Sequence, residues 1–106
     1  MQLQQTMVVS EETFEKIASL VGDKNTPAKR ASTRAEKLKL YGLYKRATVD
    51  SDQRGARPGM FNIDGRMKWD AWAAEDGLSK EEARQAYIDL AKELVGKPVE
   101  DALAAE

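Results

Sequence analysis

One stretch of the chain holds residues able to handle an anion and a flat ring together. When RAEKLKLYGLYKRAT is projected at 100° per residue, Arg34, Lys37, Leu38, Tyr41, Tyr44, Lys45 and Thr48 share a stripe. Tyr offers a ring for stacking and a hydroxyl that donates to an anion. Lys brings a compact charge suited to phosphate. A core stripe would not carry Lys37 and Lys45, and a solvated face needs no pair of tyrosines. The combination suits a ligand bearing both a phosphate and a planar base. A second reading has equal weight: the Tyr rings cover the edge of the core and the Lys stems lie over them.

Further along, Lys68-Trp69-Asp70-Ala71-Trp72 sets a base beside two indoles. Lys68 is another candidate phosphate contact. Exposing Trp is costly, so at least one of the pair belongs in the core. Tyr87 falls among Ala83, Leu90 and Leu94, which favours a core ring with its hydroxyl at the rim.

Other chemistry is excluded by what the chain lacks. It has no His and no Cys. There is therefore no Ser-His-Asp triad, no HExxH or thiolate metal site and no disulfide. Carboxylate or lysine catalysis remains conceivable, but nothing in the sequence pairs the carboxylates, so no catalytic residue, metal site or cofactor is assigned.

The elements that must position these residues read as helices. Ser10 precedes EETFEKIASLV, with Phe14, Ile17, Ala18 and Val21 at helical spacing and Gly22 as a stop. Thr33-Arg-Ala-Glu36 and Ser79-Lys-Glu-Glu82 are capping boxes. They open helices running to about Thr48 and to Gly96, where Pro98 follows. In the second helix Leu40, Leu43 and Ala47 form the core face. Residues 22–33 read as a polar linker and 49–64 as a long loop containing Arg57-Pro58-Gly59. A short third helix, RMKWDAWAAED, is expected after Asp64-Gly65. The tail after Pro98 reads as frayed or weakly helical. The fold class is all-α, with a bundle as the way to bury four amphipathic faces.

The chain has 106 residues and a net charge of −1, enough for one small domain. Residues 24–46 carry eight bases and one acid, a local +7, and the remainder carries −8. Opposed blocks suggest a local anion site; a basic face merely solvated and paired with the acidic one is as good a reading. No apolar run approaches a membrane span, so no stable membrane insertion is expected. The N-terminus lacks the basic and apolar regions of a secretory signal, which points to the cytoplasm.

Four motifs, in order and in register, resemble one family. Tyr41-Gly-Leu-Tyr44-Lys45-Arg-Ala-Thr48-Val49, Arg57-Pro58-Gly59-Met60, Lys68-Trp69-Asp70-Ala71-Trp72 and Ala86-Tyr87-Ile88 are similar to the YxxYKQATxG, ERPG, KWDAW and AYI of the acyl-CoA-binding protein family. The resemblance covers residues 10–96, leaving an N-terminal extension, 1–9, and a C-terminal tail, 97–106. It implies a four-helix up-down-down-up bundle. It also implies a non-catalytic protein that binds medium- and long-chain fatty acyl-CoA one to one and acts as an intracellular carrier and pool buffer. A monomer serving acyl-CoA-producing or -using enzymes is the corresponding expectation. Tyr41, Tyr44, Lys45, Lys68 and Tyr87 match family positions that contact the CoA head group. Lys45, a Tyr hydroxyl and Lys68 would hold the ribose 3′-phosphate, and Lys37, Leu38 and Arg66 would be secondary contacts.

The chain departs from the family in several places. The 22–33 linker is longer, and Gly22 and Asp23 stand where a base is usual. Asp64 occupies a position that is Lys in many members. Gly42 replaces a larger polar residue, and the 50–56 loop is one residue longer and carries Arg54. The alternative function is a helical protein- or nucleic-acid-interaction module using the basic Tyr/Lys face. The net charge and the acidic C-terminal half oppose nucleic acid.

Overall fold

Ser10 starts the first helix by accepting a hydrogen bond from Thr13 N, 3.2 Å, and Glu11 and Glu12 sit at the positive end of the dipole. The computed structural model describes residues 9–106, so most of the expected extension, 1–9, lies outside the described residues. Helix α1 spans Glu11–Gly22, α2 Arg34–Thr48, α3 Ile63–Ala73, α4 Lys80–Leu94 and α5 Lys97–Ala104, with a 3-10 turn at Ser51–Gln53. No strand occurs among the described residues.

Both capping boxes form. Thr33 Oγ1 accepts from Glu36 N at 3.1 Å while Glu36 Oε1 accepts from Thr33 N at 2.9 Å. Ser79 and Glu82 repeat the pattern at α4. Each cap is worth about 1 kcal/mol, which fixes where the long helices begin. Helix α3 starts earlier than the sequence suggests. Asn62 is its cap, accepting from Gly65 N at 3.0 Å, so the expected turn at Asp64-Gly65 already lies within the first helical turn.

The core is built from α1, α2, α4 and α5: Phe14 and Ile17; Leu40, Leu43 and Ala47; Ala83, Tyr87, Ile88, Ala91 and Leu94; Val99 and Ala102. Leu90, expected on the α4 core stripe, is half-buried, and Ile88 takes its place. Helix α3 packs mainly on α2 and lends Trp72 to the interior. Gly42 makes that approach possible. A Cβ there would stand 2.2 Å from Ala71 O, so only glycine lets the two helix backbones meet.

The tail is ordered helix. Gly96 turns the chain with φ +83°, and Pro98 falls at the start of α5, where a missing N–H costs nothing. Val99 and Ala102 then bury against α1, and Glu106 Oε1 accepts from Ser10 N at 2.8 Å. The sequence reading treated Pro98 only as a terminator, whereas here it opens a helix. The linker is also fixed: Leu94 O accepts from Lys29 N and Arg30 N, at 2.8 and 3.2 Å, and the Arg30 guanidinium donates to Glu36 and Glu93.

Candidate ligand-binding site

The face of α2 identified from the sequence turns toward α3. Arg34, Lys37, Leu38 and Tyr41 from α2 meet Asp64, Met67 and Lys68 from α3 around a cleft of about 380 Å³. Its floor is apolar, from Leu38 and Met67, and its edges are cationic. Lys68 Nζ lies 5.7 Å from the Tyr41 ring centroid, within cation–π range. Asp64 sits among the bases, with Arg34 Nη2 3.4 Å from its Oδ1; both side chains are highly exposed, so the pair is weak.

Lys45 lies next to this cleft with Nζ 4.9 Å from the Trp72 centroid. Lys37, Lys45 and Lys68 have no acidic partner within 4.0 Å among the described residues. In the basic block of residues 24–46, Arg30, Arg34 and Lys39 are ion-paired, whereas, among the described residues, Lys37 and Lys45 have no such pair. The block is therefore divided: part of it braces the fold, and the lysines nearest the aromatic rings keep their charge available.

Tyr44, on another side of α2, and Tyr87, from α4, meet away from the cleft lining. Tyr44 stacks on Phe14 at 5.7 Å and 18°, and Tyr87 meets Phe14 edge-on at 5.3 Å and 73°. Tyr44 Oη donates to both oxygens of Glu15, at 3.0 and 3.2 Å. Burial first, then Glu15, raises the Tyr44 pKa. Burial also pushes Tyr87, which is 4% exposed, up to about 12. Both phenols stay protonated near neutral pH and are donors. Arg66 is half-buried and does not line the cleft; its Nε is buried without a partner among the described residues. Of the residues singled out from the sequence, Lys37, Leu38, Tyr41 and Lys68 share the cleft. Lys45 adjoins α3 through Trp72, and Tyr44 and Tyr87 form an aromatic seam with α1.

Some participants were not legible in advance. Glu15 and Phe14 reach Tyr44 from α1, and Met67 joins the floor. Arg54 enters from the long loop, with its guanidinium 5.1 Å from Trp69 and 5.2 Å from Trp72. Met60, Phe61 and Ile63, just before and at the start of α3, are 67%, 93% and 65% exposed. Ile63 is next to Asp64 of the cleft, so this apolar run borders the basic edge.

The helical bundle holds a cleft with an apolar floor and cationic edges; no cluster suited to a metal ion occurs among the described residues. The chain belongs to the acyl-CoA-binding protein family, whose model, described as "Acyl CoA binding protein", matches residues 11–91. It is 53% identical over 66 residues to the "Acyl-CoA-binding protein" of Ricinus communis, covering 62% of this chain and 72% of that one. It is 45% identical over 95 residues to the "Acyl-CoA-binding domain-containing protein 1" of Oryza sativa subsp. japonica, covering 90% and 94%. Among solved structures it is similar to Oryza sativa Acyl-CoA-Binding Protein 2, with TM-score 0.67, 43% identity and 91% and 97% coverage. It is also similar to the ACBP of Moniliophthora perniciosa, with TM-score 0.70, 30% identity and 93% and 96% coverage.

Proposed function

We propose that this chain binds fatty acyl-CoA esters, one per molecule, and carries and buffers them without acting on them. The observation that supports this best is the trio of Lys37, Lys45 and Lys68. These cations have no acidic partner among the described residues; Lys37 and Lys68 edge the cleft beside Tyr41 and its apolar floor, and Lys45 lies against Trp72. Phosphates would gain charge-assisted hydrogen bonds from these lysines. The acyl chain would gain about 0.8 kcal/mol per buried CH₂ on Leu38, Met67 and the exposed apolar run beside them.

In this reading Lys45 and Lys68, with a Tyr hydroxyl, hold the ribose 3′-phosphate, and the adenine lies against Tyr41 or Tyr44. Tyr87, beside Tyr44 in the aromatic seam, would be a further head-group contact from α4, and Lys37, Leu38 and Arg66 would be secondary contacts. Tyr44 would exchange its bond to Glu15 for one to the ligand. Residues 10–96 carry the site, and the protein works as a cytoplasmic monomer between enzymes that make and use the esters. A ligand already activated as a thioester needs no nucleophile near it, which suits a chain without His or Cys.

Native mass spectrometry with C12–C20 acyl-CoA tests the proposal. A single added ligand is expected, and the absence of a complex with every chain length would overturn it.

A further inference from the structure

The long loop after α2 carries Arg54, and this residue is built into the wall behind Lys45. Its Nη1 and Nη2 donate to Asp76 Oδ1 and Oδ2 at 2.9 and 2.8 Å, a two-pronged pair whose side chain is 13% exposed on the arginine side. The same guanidinium rests against both indoles, 5.1 Å from Trp69 and 5.2 Å from Trp72. Neighbouring contacts close the loop around it. Trp69 Nε1 donates to Gly55 O at 3.1 Å, Ser51 Oγ donates to Asp76 Oδ1 at 3.1 Å, and Arg46 Nε donates to Leu78 O at 2.6 Å.

Trp72 is the link to the ligand site. Its ring is 6% exposed, and its Nε1 is buried with no hydrogen-bond partner among the described residues. No polar tether within that set fixes the rotation of this indole; packing fixes it, and two cations supply part of that packing. Lys45 Nζ lies 4.9 Å from the ring centroid, so the position of the indole biases where the ammonium rests. Asp76 neutralises Arg54, which lets a second cation stand at the same ring with little repulsion toward Lys45.

We infer that Arg54 is a positioning residue: held by Asp76, it sets the Trp72 indole that places the Lys45 ammonium, and so tunes how strongly the site prefers a ligand bearing a phosphate monoester. The inference rests on the reading of Lys45 as the contact to the ribose 3′-phosphate. It gives a role to the loop residue by which this chain departs from its family.

The test compares palmitoyl-CoA with palmitoyl-3′-dephospho-CoA by titration calorimetry, using the full chain and the variants Arg54→Ala, Arg54→Lys and Lys45→Ala. General loosening of the fold weakens both ligands alike, so the ratio of the two affinities is the readout. Arg54→Ala is expected to lower the ratio roughly three- to tenfold, the scale of a cation–π contact. Arg54→Lys keeps the charge but not the planar fork and recovers only part of it. If Arg54→Ala fails to fold, Arg54→Lys alone must still show a reduced ratio. A wild-type ratio in the folded Arg54 variants, beside a collapsed ratio in Lys45→Ala, overturns the inference and leaves the acyl-CoA reading standing. A wild-type ratio in Lys45→Ala overturns the assignment of Lys45 and the inference with it.

Discussion

Lys45 and Arg54 lie against the same indole, 4.9 and 5.2 Å from the centroid of Trp72, yet their charges are disposed differently. Arg54 spends its charge on Asp76, and Lys45 has no acid within reach among the described residues. The contrast extends across the molecule. Arg30 joins Glu36 and Glu93, Arg57 joins Asp70, and Lys80 joins Asp50, each tying a linker or loop to a helix. Lys37 and Lys68, at the cleft, are free of such bonds among the described residues. Guanidinium suits the first task because its fork grips a carboxylate with two bonds, as Arg54 and Arg57 do, although Lys39 and Lys80 also serve in it. Ammonium suits the second because it can turn toward a ligand that is not yet there. The lesson is that a basic block can be both structural and ligand-directed, according to which bases have a fixed acid.

Three experiments bear on this division, in falling order of effect. Gly42→Ala breaks the seam on which both regions depend. The new methyl group would meet Ala71 O at 2.2 Å, so α2 and α3 must part. Thermal unfolding should show a loss on the order of 1–3 kcal/mol, together with weaker acyl-CoA binding. An unchanged midpoint would mean that the helices approach less closely than described.

Lys45→Ala separates the two regions. It should weaken acyl-CoA binding by on the order of 1.5–3 kcal/mol, the range for a hydrogen bond to a charged group. The melting midpoint should hardly move, because no carboxylate is left stranded. Calorimetry showing full affinity would sink the placement of the phosphate.

Acid should release the clamps. Hydrogen bonds from Arg30 hold Glu36 at about 2, against an ordinary 4.5, and those from Arg54 hold Asp76 at about 2, against 3.8. A folded pKa below the unfolded one means that the stabilisation is complete above the ordinary carboxylate range and disappears as pH falls toward the depressed value. Melting midpoints should therefore drop between about pH 4.5 and pH 2, by a modest amount because both pairs are solvent-accessible. Asp76→Asn should flatten part of that slope, and an identical slope would remove the Arg54 clamp from the account.

Much of the local design was legible. Thr33 with Glu36, and Ser79 with Glu82, announced two helix starts because a capping box is satisfied within four residues. Leu40, Leu43 and Ala47 declared the core face of α2 by periodicity alone, and all three are buried. The cleft wall of Lys37, Leu38 and Tyr41 was visible for the same reason. The tail reads only as frayed or weakly helical, because Pro98 looks like a stop unless the packing of Val99 and Ala102 on α1 is known. Glu15 and Arg54 were not identified as participants because they come from other elements, 29 residues from Tyr44 and 22 from Asp76.

The sequence by itself determined four of the five helices, the apolar face of α2, and which residue types could meet a phosphate-bearing ligand. These are local properties, set by caps, spacing and side-chain chemistry. Tertiary structure alone decided which cations are free. The difference between Lys45 and Arg54 is the presence of an acid 2.8 Å away, supplied by a segment distant in the chain. Ion pairing depends on distance in space, and a linear sequence does not contain it.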